Sequence, residues 1–369
     1  MSTPKRIGIL TAGGDCPGLN AVIRSVSKEA MRAGLEVVGI EDGFLGLIED
    51  RCRVLSWGNV SGILTVGGTI LGSSNRSNPT RFAVGKNADG SPVFADVSGR
   101  CLETIKQHGI EAIVVVGGDG SMTVAHQLWE RAMASGIDLH FVGVPKTIDN
   151  DLCGTEVTFG FATAVATATD ALDKVHTTAA SHHRVMFVEL MGRNAGWIAL
   201  HAGVASGADI ILLPELAWTM DGLCKAVLER SRHGSRYSIV AVSEGAKPEG
   251  AEKIIAKIDP TSPDPIRLGG IGKFLADKTE AATGLECRYV VLGHTQRGGT
   301  PVAADRVLAT QFGHRAVKLL LEGKRHRLVV MTKGGLGDVH MTECANKQRL
   351  VSADEPLIAA ARGVGVSFG

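Results

Sequence analysis

Seven cysteines, at positions 16, 52, 101, 153, 224, 287 and 344, are odd in number and scattered, and no two stand at Cys-x-x-Cys spacing. That argues against a disulfide framework or a zinc ribbon, and for free thiols in a reducing cytoplasm. No run of ~20 apolar residues is present to span a membrane, and residues 1–6 lead into a strand without an apolar signal segment. Neither sign of charge dominates: the formal net charge is +1, which gives no footing for nucleic acid or an anionic membrane surface. Short repeats and low-complexity tracts are missing too. Glycine, by contrast, is abundant. Forty-seven glycines in 369 residues are well above the usual ~7% and suit a chain with many tight strand–helix turns.

An apolar content of 44% over this length is enough for two substantial cores. Strand-like and helix-like segments alternate almost throughout. Strands are expected at 6–10, 36–40, 112–116, 139–144, 184–190, 209–213, 237–242, 287–292 and 327–333. Helices are expected at 19–33, 122–135, 161–175, 195–206, 220–231, 271–281 and 302–321. Regularity weakens at 66–99, with a loop at 72–79 and a candidate hairpin at 82–94; residues 247–265 form a Pro/Gly-rich patch holding a short helical piece. Such alternation predicts an α/β fold of two lobes, each a doubly wound, mostly parallel sheet with helices on both faces. The chain is expected to change lobe near 159–161 and return near 296–301. Residues 1–160, completed by about 296–345, then form one lobe and 161–295 the other, with the tail 346–369 unassigned.

The chemistry concentrates between Ala112 and Asp151. Two strand–loop junctions one βαβ unit apart carry Gly117-Gly118-Asp119-Gly120-Ser121 and Pro145-Lys146-Thr147-Ile148-Asp149-Asn150-Asp151. Glycines let backbone N–H groups approach an anion, and the following helix N-terminus adds partial positive charge. An Asp in such a turn can orient hydrated Mg²⁺ between phosphates. The second loop sets carboxylates beside a hydroxyl, an amide and an ammonium, a set able to take a proton from an alcohol. Alone, the glycine cluster is more often an ordinary turn. Together the two loops describe phosphoryl transfer to a hydroxyl.

Other junctions add to this. Gly13-Gly14-Asp15-Cys16-Pro17-Gly18-Leu19-Asn20 opens the first helix in the manner of a phosphate-binding turn, without a Walker sequence. His294-Thr295-Gln296-Arg297-Gly298-Gly299 puts cations at a strand's carboxyl end, where guanidinium forks suit phosphate dianions. Ser181-His182-His183-Arg184 lacks further ligands at metal spacing and reads as a polar strand entrance.

These motifs resemble the 6-phosphofructokinase family, which phosphorylates the 1-hydroxyl of fructose 6-phosphate, and the resemblance runs from Ile7 to about Leu321. It implies Asp149 as general base, Thr147 and Arg193 steadying the transferring group, and Gly13 beside it. Asp119 would position Mg²⁺, and Gly13, Gly118, Gly120, Ser121 and Lys146 would border the donor phosphates. The family's arginine in the Leu71-Gly72-Ser73-Ser74 loop falls on Asn75 by direct count; Arg76, one place later, either keeps that phosphate contact or is a solvated loop cation. On the sugar side the resemblance implies Thr147, Asp149, Met191, Gly192, Arg193, Glu244, His294 and Arg297, with Arg184 and Arg288 lent by a neighbouring subunit of a homo-tetramer or dimer. The family's arginine-rich effector pocket is matched by Arg24 but replaced by Lys28, Val66 and His176, against regulation by ADP or phosphoenolpyruvate in the familiar bacterial manner. Residues 82–99 look like an insertion.

Two positions track donor choice in the family. Pyrophosphate users resemble Gly-Gly-Asp-Asp with a Lys before Thr-Ile-Asp-Asn-Asp, and many bacterial ATP users have Gly at both. Gly120 with Lys146 is similar to plant-type and other long ATP-using members, so ATP is the expected donor and pyrophosphate the alternative. A relative of NAD or lipid kinases shares only Gly-Gly-Asp-Gly, and a non-catalytic sugar-phosphate sensor would not need intact Asp119 and Asp149.

Overall fold

Ala112–Gly117 is buried at every residue, as a parallel strand between two helix layers must be. It lies near the middle of the larger sheet of this computed structural model, which describes residues 4–232, 234, 236–258, 266–344 and 347–369. The strand order there is Gly335–His340, Arg327–Thr332, His140–Thr147, Ala112–Gly117, Arg6–Thr11, Glu36–Ile40 and Cys52–Val54. Phe159–Gly160 pairs with the end of His140–Thr147. The interior pairs are parallel, while Cys52–Val54 and Gly335–His340 close the edges antiparallel. The smaller sheet, Ile210–Leu212, Ser238–Ser243, Val185–Leu190 and Cys287–Val291, is parallel throughout. The α/β architecture is as expected, with helices packed around both sheets.

Four expectations change. Helix Phe161–His182 runs a further seven residues past Val175, because its alanines keep fitting the core and only left-handed His183 (φ 58°) stops it. Ser98–Gln107 is a helix where none was expected, starting at the end of the irregular stretch and held by buried Cys101, Leu102 and Ile105. The patch at 247–265 contains no helix among the described residues. Instead Ile255–Ile258 pairs antiparallel with Ile266–Leu268; the first of these is exposed throughout, so no core face favours a helix. Residues 259–265 of that patch lie outside the described residues. Finally, the tail is structured: Pro356–Gly363 is a helix that buries Ile358 and Ala361. The hairpin at 82–94 forms as Phe82–Lys86 with Pro92–Ala95. Among the described residues no helix is long and apolar enough to cross a membrane, and all seven cysteines are unpaired.

Two helices carry the chain between the sheets, and one carboxylate ties them. Asp305, in helix Ala303–Leu321, is 1% exposed. Its Oδ2 accepts hydrogen bonds from the Thr163 backbone N–H at 2.7 Å and the Thr163 hydroxyl at 2.5 Å, at the start of helix Phe161–His182. The carboxylate thus serves the N-terminal N–H groups of that helix from 142 residues away. Asp305→Ala strands those donors in the interior, where each unmet group costs about 1–3 kcal/mol. Thermal unfolding should show a clearly lowered midpoint for Asp305→Ala and a smaller loss for Asp305→Asn, which keeps an acceptor.

Candidate active site

Parallel strands end their hydrogen bonding at the carboxyl edge, where the chain must leave the sheet and its side chains are released from packing. Both sheets turn that edge toward one cleft of about 960 Å³. Gly13, Gly14, Gly118, Asp119, Gly120, Ser121, Lys146, Thr147, Asp149 and Asp151 reach it from the larger sheet. Met191, Arg193, Asn194, Glu244, His294 and Arg297 line it alongside the smaller one. Segments more than 280 residues apart in the chain thereby share one wall.

Close approach governs the glycine turns. A Cβ on Gly14 would fall 2.1 Å from Arg297 Nη1, so the guanidinium lies flat against that backbone only because the position is glycine. Lys146, inside the cleft wall, donates from Nζ to the Gly14 carbonyl oxygen, and burial lowers its pKa. Gly13 N–H donates to the Ser74 carbonyl at 3.1 Å and Ser73 Oγ to the Gly13 carbonyl at 2.5 Å, which pins the neighbouring loop. Held in that register, Asn75 lines the cleft and Arg76 does not. Asp119 opens helix Asp119–Ala134. A Cβ on Gly120 would meet nothing within 4 Å.

The 149–151 loop is shaped by its own polar groups. Asn150 takes a left-handed backbone (φ 53°), which Asn tolerates better than most residues. Its Oδ1 accepts from Thr158 N–H at 2.9 Å and its Nδ2 donates to the Glu156 carbonyl at 3.3 Å. Asp149 N–H donates to Thr147 Oγ1 at 3.0 Å. The carboxylate so placed has an inaccessible Oδ1 without a hydrogen-bond partner among the described residues, and Arg297 Nε is in the same state. Burial, opposed by the Arg297 and Lys146 charges, pushes the Asp149 carboxyl above the usual range. Asp151 is pushed up as well, by burial and then by Asp149 and Asp119. Orphaned buried groups of opposite charge in one cleft are ready for a ligand's hydroxyl and anionic groups.

Buried Gln296 connects the cationic turn to the other loops: its Nε2 donates to the Gly293 carbonyl at 3.1 Å and its Oε1 accepts from Met191 N–H at 3.4 Å. Gly192 packs under Glu244, its carbonyl accepting from Gly245 N–H at 3.2 Å and from Ser243 Oγ. Gly192 itself shapes this loop without lining the cleft. Burial, reinforced by Glu189, raises the Glu244 carboxyl to about 7. Arg184 and Arg288 lie apart from the cleft. Arg184 Nε sits 2.8 Å from Glu286, and Arg288 Nη2 2.6 Å from the same carboxylate. Asn194, Lys257 and Gln348 line the cleft although no motif announced them; Asn194 directly follows Arg193 and was the one within reach of sequence reasoning.

The chain matches the family profile described as Phosphofructokinase over residues 6–320. It is 44% identical to the ATP-dependent 6-phosphofructokinase 2 of Clostridium perfringens, covering 100% of this chain and 99% of that one. Identity to the ATP-dependent 6-phosphofructokinase of Chloroflexus aurantiacus is 43%, with the same coverage. Among solved structures, the Pichia pastoris phosphofructokinase in the T-state superposes with a TM-score of 0.76 at 30% identity over 99% of this chain, which spans 37% of that longer one. The pyrophosphate-dependent phosphofructokinase of Nitrosospira multiformis shares the fold, with a TM-score of 0.80 at 21% identity over 95% of this chain and 86% of that one.

A raised carboxyl makes a site's stability fall as pH rises. Folded Glu244 holds its proton up to about 7, whereas the unfolded side chain releases it near ~4.3. Its charge therefore costs nothing below the unfolded value and costs most above the folded one. Glu244→Gln should raise the thermal midpoint at pH 8, by the equivalent of about 1–3 kcal/mol, and leave it nearly unchanged at pH 4. Equal midpoints at both pH values would contradict the assigned environment.

Proposed function

The chain belongs to the phosphofructokinase family, and from that premise we infer that it transfers the terminal phosphoryl group of ATP to the 1-hydroxyl of fructose 6-phosphate, a glycolytic step. The observation that carries the assignment to this cleft is the orphaned Asp149 Oδ1 facing a cationic wall that includes Arg297. The carboxylate takes the proton of the sugar's 1-hydroxyl, whose oxygen then attacks the γ-phosphorus while ADP departs. Thr147 accepts from the Asp149 backbone and keeps the base aimed. Arg193 and Lys146 neutralise charge on the transferring group, and the Gly13 and 117–121 turns cradle the donor. Glu244 receives sugar hydroxyls, and His294 and Arg297 receive the 6-phosphate.

A magnesium ion suits the corner at Asp119. Carboxylates cluster there, as a hard cation prefers, and Asp151 already feels the repulsion of Asp149 and Asp119. Asp119 would hold the ion, which when bound neutralises the donor's phosphate charge. Arg184 and Arg288 are proposed to serve a neighbouring subunit's cleft in a homo-oligomer. In support, both lie at Glu286 beside edge strand Cys287–Val291, where Tyr289 is 45% and Val291 49% exposed. Of the two readings of Arg76, a loop cation is favoured over a phosphate contact, since Asn75 and not Arg76 lines the cleft. Unpaired cysteines accord with a cytoplasmic location.

ATP rather than pyrophosphate is favoured by the open space at Gly120. A carboxylate there would meet the nucleotide's α-phosphate with both bulk and charge, whereas the Lys146 cation cannot exclude adenosine. Measuring kcat/KM for both donors in native enzyme, Gly120→Asp and Lys146→Gly tests this. Gly120→Asp should suppress ATP use far more than Lys146→Gly. Native turnover with pyrophosphate but not ATP would overturn the donor assignment.

The base assignment has its own test. Asp149→Ser should lower kcat by ~10²–10⁴ with sugar affinity largely kept. The base works ionised, so kcat/KM falls as pH drops, and burial sets that acid limb above the ~3.9 of an ordinary Asp. Arg297 holds the Asp149 pKa down, so Arg297→Ala should move the limb to higher pH. A limb that stays put, or retained turnover in Asp149→Ser with loss in Asp151→Ser, would transfer the role to Asp151.

A further inference from the structure

Residues 348–351 carry no motif, yet they run along the seam between the two halves of the cleft. Gln348 lines the cavity. Its Nε2 donates to Asp151 Oδ2 at 3.4 Å, and its Oε1 accepts from Asn194 Nδ2 at 3.2 Å. One amide therefore touches the Asp149–Asp151 loop, on the larger sheet, and the residue next to Arg193, beside the smaller. We propose that Gln348 is a positioning residue for phosphoryl transfer, fixing the Asp149–Asp151 loop relative to the Arg193 loop.

The choice of side chain fits the task. A carboxylate must be offered a donor and the Asn194 amide an acceptor, and a primary amide supplies both without adding charge. Glutamate could not donate to Asp151, and lysine or arginine could not accept from Asn194.

The segment is anchored independently of that amide. Arg349 N–H donates to the Asp151 carbonyl at 2.7 Å and Arg349 Nη1 to the Asn150 carbonyl at 3.3 Å. Its guanidinium lies 4.1 Å over the Trp197 ring, and its carbonyl accepts from Trp197 Nε1 at 3.0 Å. Val351 N–H then donates to Glu215 Oε1 at 2.9 Å, a carboxylate that also accepts from Gly196 N–H. Arg349 and Val351 hold the strap, which leaves the exposed Gln348 side chain free to act at the cleft.

The inference rests on the phosphotransferase reading, so the experiment must separate the two. In steady-state assays with ATP and fructose 6-phosphate, Gln348→Ala should lower kcat between about 10- and 100-fold, as a misplacement of about 1 Å does. KM for the sugar phosphate should stay within roughly two-fold, the pattern of an interaction needed in the transition state. The thermal midpoint should not move. Gln348→Glu, equal in size but unable to donate, should lose at least as much kcat. Gln348→Ala and Asn194→Ala combined should lose less than the product of their separate losses, because they break one bridge. Unchanged kcat in Gln348→Ala beside an active native enzyme overturns this proposal alone. So does a parallel loss of kcat, sugar affinity and thermal midpoint, the mark of a merely structural strap. A native enzyme that forms no fructose 1,6-bisphosphate overturns the functional reading and this proposal with it.

Discussion

Keeping carboxylates ionisable in a partly dehydrated cleft is the constraint on which the rest depends. Asp149, Asp151 and Glu244 are all pushed up by burial; the Arg297 and Lys146 charges restrain Asp149, those of Arg297 and Arg193 restrain Glu244, and a hydrogen bond with Thr147 restrains Asp151. None of those cations lies next in sequence to the carboxylate it restrains. Lys146 leaves the same strand end as Asp149, but Arg297 and Arg193 are delivered from other strand ends, so much of the site's electrostatics is a product of sheet topology. The same burial that raises the carboxyls also orphans Asp149 Oδ1 and Arg297 Nε, and a hydroxyl and an anion are the partners that would satisfy them.

Delivery works because the loops that carry these carboxylates and cations leave the carboxyl edges of parallel strands. Small residues then let the loops interlock: Gly14 accepts the Arg297 guanidinium at van der Waals range, and Gly192 fits beneath Ser243 and Ala195. Two ties join the two sheets' contributions, and a third fastens two loops of the smaller sheet to each other. Asp305 joins the crossing helices, Gln296 joins the cationic turn to Met191, and the strap at 348–351 closes the seam. A shift between the sheets would disturb the Asp305 tie and the strap together with the distance between Asp149 and Arg193.

Much of this was legible because it is local. Alternation of apolar runs and helix formers located all four strands of the smaller sheet and five of the eight in the larger, missing Cys52–Val54, Phe159–Gly160 and Gly335–His340. The Gly-Gly-Asp-Gly-Ser, Thr-Ile-Asp-Asn-Asp and His-x-Gln-Arg-Gly-Gly clusters marked the strand ends that meet. Helix Ser98–Gln107 was missed because its apolar positions follow an irregular stretch that masked the period. The pair Ile255–Ile258 and Ile266–Leu268 escaped because an exposed ribbon has no burial pattern to show. Counting alone left open whether Arg76 reaches the cleft; the loop's placement depends on Ser73 and Ser74 bonding to Gly13, some 60 residues away.

The sequence by itself determined the fold class, the strand ends that carry chemistry and the kind of chemistry they carry, since periodicity and turn residues act within a few positions of one another. Only the tertiary structure decided which groups share the cleft, how far each carboxyl is raised, and that Gln348 stands between Asp151 and Asn194. Those are consequences of distance and dehydration in space. A single chain of residues does not state either until the sheets have formed and the loops have met.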